Sequence, residues 1–462
     1  MSQNSAETTW QRRNAERIEH VATRHRFIYS ILISLLALIG YAYLFLFPAG
    51  VVFGIAFLVD AIPRAAASHD WEKIGAMISV VLLCAVTCLH ILRLRQPPSA
   101  GLPLEPEQVP ELFRLMESLR KRCGHRRIRQ VLLTDNYQLE MRNTPVVGLP
   151  LWFSHTLVIG LPLLQTVAPK HFRCALARRL CQHAHRGHRI THRLFLARQL
   201  WNSHLEVLTR HPRFGDQLLR WFFRAYAPLF HVLSLPAVRW DELAADSATL
   251  DIINDNDVFE TIKVTTLGSL FLDVQYWPKL RRMALKEGER QLTPFAKLEQ
   301  LICPALQKID ANKWLNDMAG TGLDAHSPMP DFRRRMHNIG HAKIRGIPRI
   351  SATAAGLYLK DAQSLLIPAI DKLWQTSTLP AWLAEYETRR EDIETIRALS
   401  AMSHQGRLTL AEIWRYARLA KRLQGRPRHR SILKLLRRNS SHAGLAGTSA
   451  DGANGERLND VF

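Results

Sequence analysis

Acidic residues are scarce in this chain: 40 Asp and Glu stand against 62 Lys and Arg, a formal net charge of +22 over 462 residues. The surplus exceeds what an average soluble enzyme carries. It suits an anionic partner, nucleic acid or anionic lipid about equally. Cysteine is scarce too. The six cysteines show no disulfide-like spacing, so no disulfide framework is expected and free thiols are. No internal repeat is present. The length allows one sizeable core or two to three domains.

Two segments lack charge altogether, and they decide between the two anions. Phe27 to Phe47, "FIYSILISLLALIGYAYLFLF", runs 21 residues, and Ile74 to Leu92, "IGAMISVVLLCAVTCLHIL", runs 19. Both reach about the 20 residues that cross ~30 Å of hydrocarbon. A cleavable signal peptide, with an apolar region of only ~7–15 residues, fits poorly. The chain therefore reads as a membrane protein with anionic lipid as a partner, and no nucleic acid is expected. Arg12, Arg13, Arg17, Arg24 and Arg26 precede the first span, and Arg93 and Arg95 follow the second. The loop between them has only Arg64 and Lys73 against Asp60, Asp70 and Glu72. Positive residues stay inside, which places both termini and the main domain in the cytoplasm. Val51 to Ile62 is apolar but too short to span, so it either extends the first helix or lies at the interface.

These features divide the chain into a basic cytoplasmic tail (1–26), a membrane region (27–96), a main domain (97–375), a basic helical region (376–438) and a disordered tail (439–462) rich in Gly, Ser, Ala and Asn. "RQPPSAGLPLEPEQVP", 95–110, is a proline-rich exit from the membrane. Val109, Leu112, Phe113, Met116 and Leu119 then repeat at helical spacing up to a stop near Gly124. Val131–Leu133 and Thr156–Ile159 read as short strands, and most of the rest to about residue 424 as helix. The fold class expected is mostly α with a small β-sheet (α+β) behind two N-terminal transmembrane helices. Leu218 to Leu235 is apolar, but Arg220, Arg224 and Pro228 argue against a third span, because arginine at mid-bilayer costs ~2.5–3.5 kcal/mol. It is expected on the bilayer or in the core. Arg407 to Arg438 holds eleven Lys or Arg against one acid, Glu412, which suits a solvated helix face or contact with anionic lipid.

The chemistry concentrates in "ALARRLCQHAHRGHRITHRL", Ala175 to Leu194, with His183, His185, His188 and His192, and in "RWDELAADSATL", Arg239 to Leu250. Glu242 and Asp246 lie four apart, so their carboxylates share a helix face. In chain order come two apolar spans, "PEQVPELFRLMESL", "VIGLPLLQTVAPKHFRCALA", the Glu242 helix, "DAHSP" and "SATAAGLYLKDAQSLLIPAIDKLW". That order resembles the HtpX and CAAX prenyl endopeptidase family of membrane zinc metallopeptidases over roughly residues 97–375. The resemblance implies a gluzincin metallopeptidase-like fold, a bacterial inner membrane, and zinc held by a helical HExxH motif plus a glutamate from another helix. Glu242 matches the third metal ligand and Asp246 the carboxylate behind it. His326 of "AHSP" resembles a histidine that helps stabilise the oxyanion; the arginine following it is Arg333, Arg334 or Arg335, about one residue out of the family spacing.

Where the family has HELGH, this chain has Arg178, Arg179, Leu180, Cys181 and Gln182. Both ligand histidines and the general base are gone. Arginine stays protonated and offers no lone pair to a metal, so no cofactor is expected, with zinc only if the chain is active. His188 and His192 have the alternative i, i+4 ligand spacing. Arg189 holds the glutamate's place there, Gly187 is a candidate stop for the helix, and a continuous helix would carry them ~15 Å beyond the first motif. Three functions follow. The first is a proteolytically inactive relative acting by binding membrane proteins or a partner protease. The second is an active zinc endopeptidase with an unusual ligand set, and the third a basic membrane-associated scaffold. On the first, Arg178 or Arg179 is expected to pair with Glu242 or Asp246 where the zinc would sit, with Gln182 adding a hydrogen bond. The alternative is that both arginines turn to solvent.

Overall fold

The computed structural model describes residues 16–68, 71–94, 101–145, 149, 153–184, 189–210, 216–287, 292–308, 310, 313–315, 327–340, 352–404 and 409–424. It is 79% helical, with a small four-stranded mixed sheet and two long apolar N-terminal helices. Backbone contacts divide it into two units. The first is built from the described residues up to Pro278 and those of 293–374; the second from those of 279–292 and from 375 onward.

The chain enters the first unit through helical residues 16–24, part of the segment expected as a tail, where Glu19 and Ala22 are buried. Helix α1 (Arg26–Ser68) follows, with Pro48 and Pro63 inside it. At ~1.5 Å per residue it is ~65 Å long, about twice the hydrocarbon thickness. Val51–Ile62 thus extends the first helix. Helix α2 (Trp71–Leu92) runs back along its second half. Gly50 and Gly54 make that approach possible: a Cβ on Gly50 would stand 3.0 Å from Cys84 Sγ, and one on Gly54 2.4 Å from Val81 Cγ2. Small residues four apart let two backbones close when no apolar side chains intervene. Both helices are long and apolar enough to cross a membrane. A reporter fused after residue 110 is expected to be active only in the cytoplasm; activity on the other side of the membrane would overturn the cytoplasmic placement expected for the main domain.

A short β1 (Leu102–Pro103) leads to α3 (Pro110–Cys123). Proline opens this helix, Leu112, Met116, Leu119 and Cys123 line its buried face, and Gly124 closes it in the left-handed region at φ 74°. That is the stop expected from sequence, and glycine takes the conformation without a Cβ penalty. The sheet order is β1-β2-β4-β3, with β2 (Gln130–Thr134), β3 (Leu139–Pro145) and β4 (Phe153–Gly160). The two strands anticipated from sequence, β2 and β4, pair in parallel; β3 and β1 flank them antiparallel.

After β4 come α4 (Leu161–Thr166), α5 (Pro169–His183), α6 (Arg189–Arg210), α7 (Gln217–Leu233), α8 (Leu235–Leu250) and α9 (Asp255–Phe271). Helix α7 is the apolar stretch that the arginines argued against as a span. One face buries Leu219, Phe223, Tyr226, Ala227 and Phe230, while Trp221, Leu229 and Val232 stay exposed. It docks on the first half of α1: Tyr43 Oη donates to the Leu218 carbonyl at 2.9 Å, Tyr226 Oη to the Leu36 carbonyl at 2.6 Å, and Tyr43 stacks on Phe222 at 3.8 Å. Short helices α10 (Trp277–Glu287), α11 (Leu298–Lys308), α12 (Phe332–Asn338), α13 (Ala354–Tyr358) and α14 (Gln363–Ser377) follow. In the second unit, α15 (Leu379–His404) precedes α16 (Leu410–Gln424). Helix α16 buries Ile413, Ala417 and Ala420 and exposes Arg415 and Arg418. The remainder of that block from 425 and the tail expected at 439–462 lie outside the described residues.

Candidate functional site

Helices α5 and α8 pack face to face, and α5 turns an unusual set of side chains inward. Its buried residues include Arg178, Cys181, Gln182 and His183 alongside Phe172, Leu176, Ala177 and Leu180. A guanidinium in such a place is costly unless every donor finds an acceptor. The acceptors come from α8. Arg178 Nε donates to Asp246 Oδ1 at 2.5 Å, and Arg178 Nη2 to Glu242 Oε2 at 2.5 Å and to the Glu242 carbonyl at 3.1 Å. One planar fork thus spans the two carboxylates that the i, i+4 spacing places on one face. Arg179 Nη1 adds a bond to Glu242 Oε1 at 3.0 Å and to Gln182 Oε1 at 2.8 Å. Gln182 Nε2 donates to Glu242 Oε1 at 3.2 Å and to Asp241 Oδ2 at 3.0 Å. The pairing expected for Arg178 and Arg179 is therefore present, with Gln182 in its expected place.

Helix α12 supplies a third guanidinium. Arg335 Nε donates to Asp246 Oδ2 and Arg335 Nη2 to Asp246 Oδ1, both at 2.9 Å, a bidentate pair on a carboxylate with no solvent exposure. Of the three arginines left open after His326, this is the one that enters the cluster; Arg334 instead pairs with Glu19. Three guanidiniums, Arg178, Arg179 and Arg335, now face three carboxylates, Asp241, Glu242 and Asp246, so formal charge cancels.

Burial raises the Glu242 carboxyl pKa, but the charges of Arg179 and Arg178, with hydrogen bonds from Arg178 and Gln182, reverse that and hold it well below the usual carboxylate range. Asp246 moves the same way: burial is outweighed by Arg178 and Arg335. Burial disfavours the charged Arg178, yet Asp246 and Glu242 outweigh that and raise its pKa. Arg178, Glu242 and Asp246 thus favour one another's charged forms, which offsets the cost of burying them.

Two sequence expectations need correction or placement. The chain leaves the helix after His183, so His192 sits on a separate helix, α6, and not ~15 Å along the same one. Because α6 folds back on α8, His192 lies beside Asp241, with Nδ1 3.7 Å from Asp241 Oδ2, and its ring centroid is 5.0 Å from that of His183. His188, its proposed co-ligand, lies outside the described residues, as does His326. His183 Nδ1 is 3.0 Å from Asn143 Nδ2, whose Oδ1 is 2.5 Å from His155 Nδ1. His125 approaches both His155 and His183 edge to face.

Residues that sequence reasoning passed over are Asp241, Thr191 and Glu19. Thr191 Oγ1 donates to Asp241 Oδ1 at 3.3 Å. Glu19 receives Arg239 and Arg334, and Arg239 also donates to the Ser327 carbonyl at 3.0 and 3.2 Å. Asp241 is adjacent to Glu242, and that adjacency was the available signal; Glu19 had none, because its partners lie more than two hundred residues away.

The residues present do not fit a zinc ion. All four carboxylate oxygens of Glu242 and Asp246 already accept from N–H donors. Two guanidiniums hold the ground between them, and a guanidinium has no lone pair to offer a metal. Among the described residues no group of three His, Cys, Asp or Glu is placed to hold a metal. Nor are Glu242 and Asp246 placed to accept a proton near neutral pH, since both carboxyls are held below their usual range. What it can do is hold α5, α8 and α12 in one register. Compared with family models, curated proteins and solved structures, the chain gives no match in any of the three.

Proposed function

We propose that this chain is a membrane-anchored, proteolytically inactive homologue of the HtpX and CAAX prenyl endopeptidase type of zinc metallopeptidase, acting by binding membrane proteins or a partner protease. The observation that carries the reading is the Arg178 fork between Glu242 and Asp246. On the resemblance drawn from sequence, this is the ground a zinc ion and its HExxH helix would occupy. Fixed positive charge in the metal's place keeps the carboxylates ionised and the two helices in contact, so the framework persists without the chemistry.

Metal analysis of the purified full-length chain tests this. Zinc well below one per chain is expected, together with no chelator-sensitive cleavage of unfolded substrates. A triple variant, Arg178→His with Arg179→Glu and Gln182→His, should gain zinc, because it removes both guanidiniums and restores two imidazoles beside Glu242. Stoichiometric zinc in the unaltered chain, with cleavage abolished by Glu242→Ala, would establish the active-enzyme reading instead.

A further inference from the structure

Helix α8 has a second face. Glu242 and Asp246 point into the arginine cluster, whereas Trp240, Leu243, Ala244, Ser247, Ala248 and Asp251 repeat at i, i+3, i+4, i+7, i+8 and i+11 on another side. That face floors a cavity of about 710 Å³, walled by Thr23 and Arg26 before the first apolar run and by Arg334 and Asn338 of α12. The small side chains of Ala244, Ser247 and Ala248 keep the floor low.

Its charges are arranged, not scattered. Arg26 lies over the Trp240 ring at 4.8 Å, which fixes the guanidinium, and it pairs with no carboxylate among the described residues. Arg334 shares the single Glu19 carboxylate with Arg239, so its charge is only partly balanced. Asp251 closes the same cavity with an exposed carboxylate. Two cations and one anion therefore line one pocket. The pocket also sits at a boundary: Arg26 is the last charge before 33 residues without one, and Phe27 and Ile28 directly beyond it are 78% and 57% exposed.

We propose that this cavity seats the headgroup of a zwitterionic aminophospholipid, with its phosphodiester between Arg26 and Arg334 and its ammonium toward Asp251. The acyl chains would lie along the exposed apolar surface that starts at Phe27. A headgroup without a cation would leave Asp251 facing a phosphate. A free anion would make no use of the exposed apolar residues next to the pocket. Arginine beside a phosphate and carboxylate beside an ammonium are charge-assisted pairs, stronger than neutral hydrogen bonds. The site is separate from the arginine cluster and does not depend on whether the chain cleaves peptides. It rests only on α1 entering a bilayer at Phe27, which resistance to carbonate extraction tests independently; a chain that extracts as a soluble protein would overturn the proposal.

The experiment uses the full-length chain in mild detergent, offered equal amounts of phosphatidylethanolamine and phosphatidylglycerol, with retained lipid read by native mass spectrometry. One phosphatidylethanolamine per chain should be held preferentially. Arg26→Gln should weaken retention about tenfold, the loss of one charge-assisted pair. Asp251→Asn, an exposed substitution that leaves the fold intact, should keep retention but abolish the preference over phosphatidylglycerol. Equal retention of the two lipids by the unaltered chain, or an unchanged preference in Asp251→Asn, would overturn the assignment. Displacement by soluble glycerophosphoethanolamine at the lipid's own concentration would show that a free phosphodiester, not a lipid, is the ligand, and would equally overturn it.

Discussion

An Arg178→Ala chain is expected to lose about 3–5 kcal/mol of unfolding free energy, the usual cost of removing one partner from a buried ion pair. Arg178 is 7% exposed and bridges Glu242 and Asp246, which are 4% and 0% exposed. Its removal leaves Glu242 with Arg179 and Gln182 and Asp246 with Arg335, so neither carboxylate is stripped entirely, but the total charge no longer cancels. A compensating double variant separates the ion pair from mere packing. Arg178→Met with Glu242→Gln removes one charge of each sign and keeps similar volumes. Because the two side chains touch, its loss should fall short of the sum of the single losses by about 0.5–3 kcal/mol. Denaturant titration of the detergent-solubilised chain, followed by tryptophan fluorescence, gives these values. Strictly additive losses would mean that Arg178 and Glu242 are not coupled.

Acid should weaken the fold in two stages, the first traceable to α5. Burial, followed by the nearby Lys170 charge, pushes the His171 pKa down to about 4. Burial, followed by the charges of His192 and Arg179, holds His183 well below its usual value. An unfolded histidine takes a proton near pH ~6.5, and these two do not when folded, so each lowers stability as pH falls below that point. Asp371 works the other way. Burial raises its pKa to about 6, against the hydrogen bonds from the Phe295 and Ala296 backbone, so the folded chain takes that proton before the unfolded one does. Between about pH 6 and 4 the unfolded state thus holds two of these protons and the folded state one. The net of one proton removes about 1.4 kcal/mol per pH unit. Below about pH 4 the depressed pKa values of Glu242 and Asp246 add to the loss, since unfolded carboxylates protonate there and the paired ones resist. Denaturant midpoints at pH 7, 6, 5 and 4 should fall steadily, and His171→Gln should flatten the first stage. Midpoints that rise from pH 6 to pH 4 would refute the assignment to the two histidines.

Local features of this fold were legible in the chain itself. A 33-residue run without charge reads as one long apolar helix, because in hydrocarbon a single segment satisfies its backbone only as a helix. Pro110 and Gly124 start and stop α3 for reasons confined to φ angles and missing donors. The short apolar runs at β2 and β4, bounded by turn residues, and the arginines of α7 were likewise local signals, and so was the presence of Arg178, Arg179 and Gln182 on one helix. The i, i+4 spacing of Glu242 and Asp246 was enough to make Arg178 an expected partner.

Packing decided the rest. Nothing near Asp246 in sequence announces that its second guanidinium comes from Arg335, 89 residues on, or that Glu19 from the expected tail would neutralise Arg239 and Arg334. The place of His192 depends on where the helix stops after His183, which the sequence left open, and that stop brings α6 back onto α8. Sequence by itself determined which elements form and which charges are available to them, since these follow from spacing, capping and the absence of charge. Only the tertiary structure decided which charges meet, because a buried ion finds its partner wherever packing brings an opposite charge within hydrogen-bond reach, irrespective of distance along the chain.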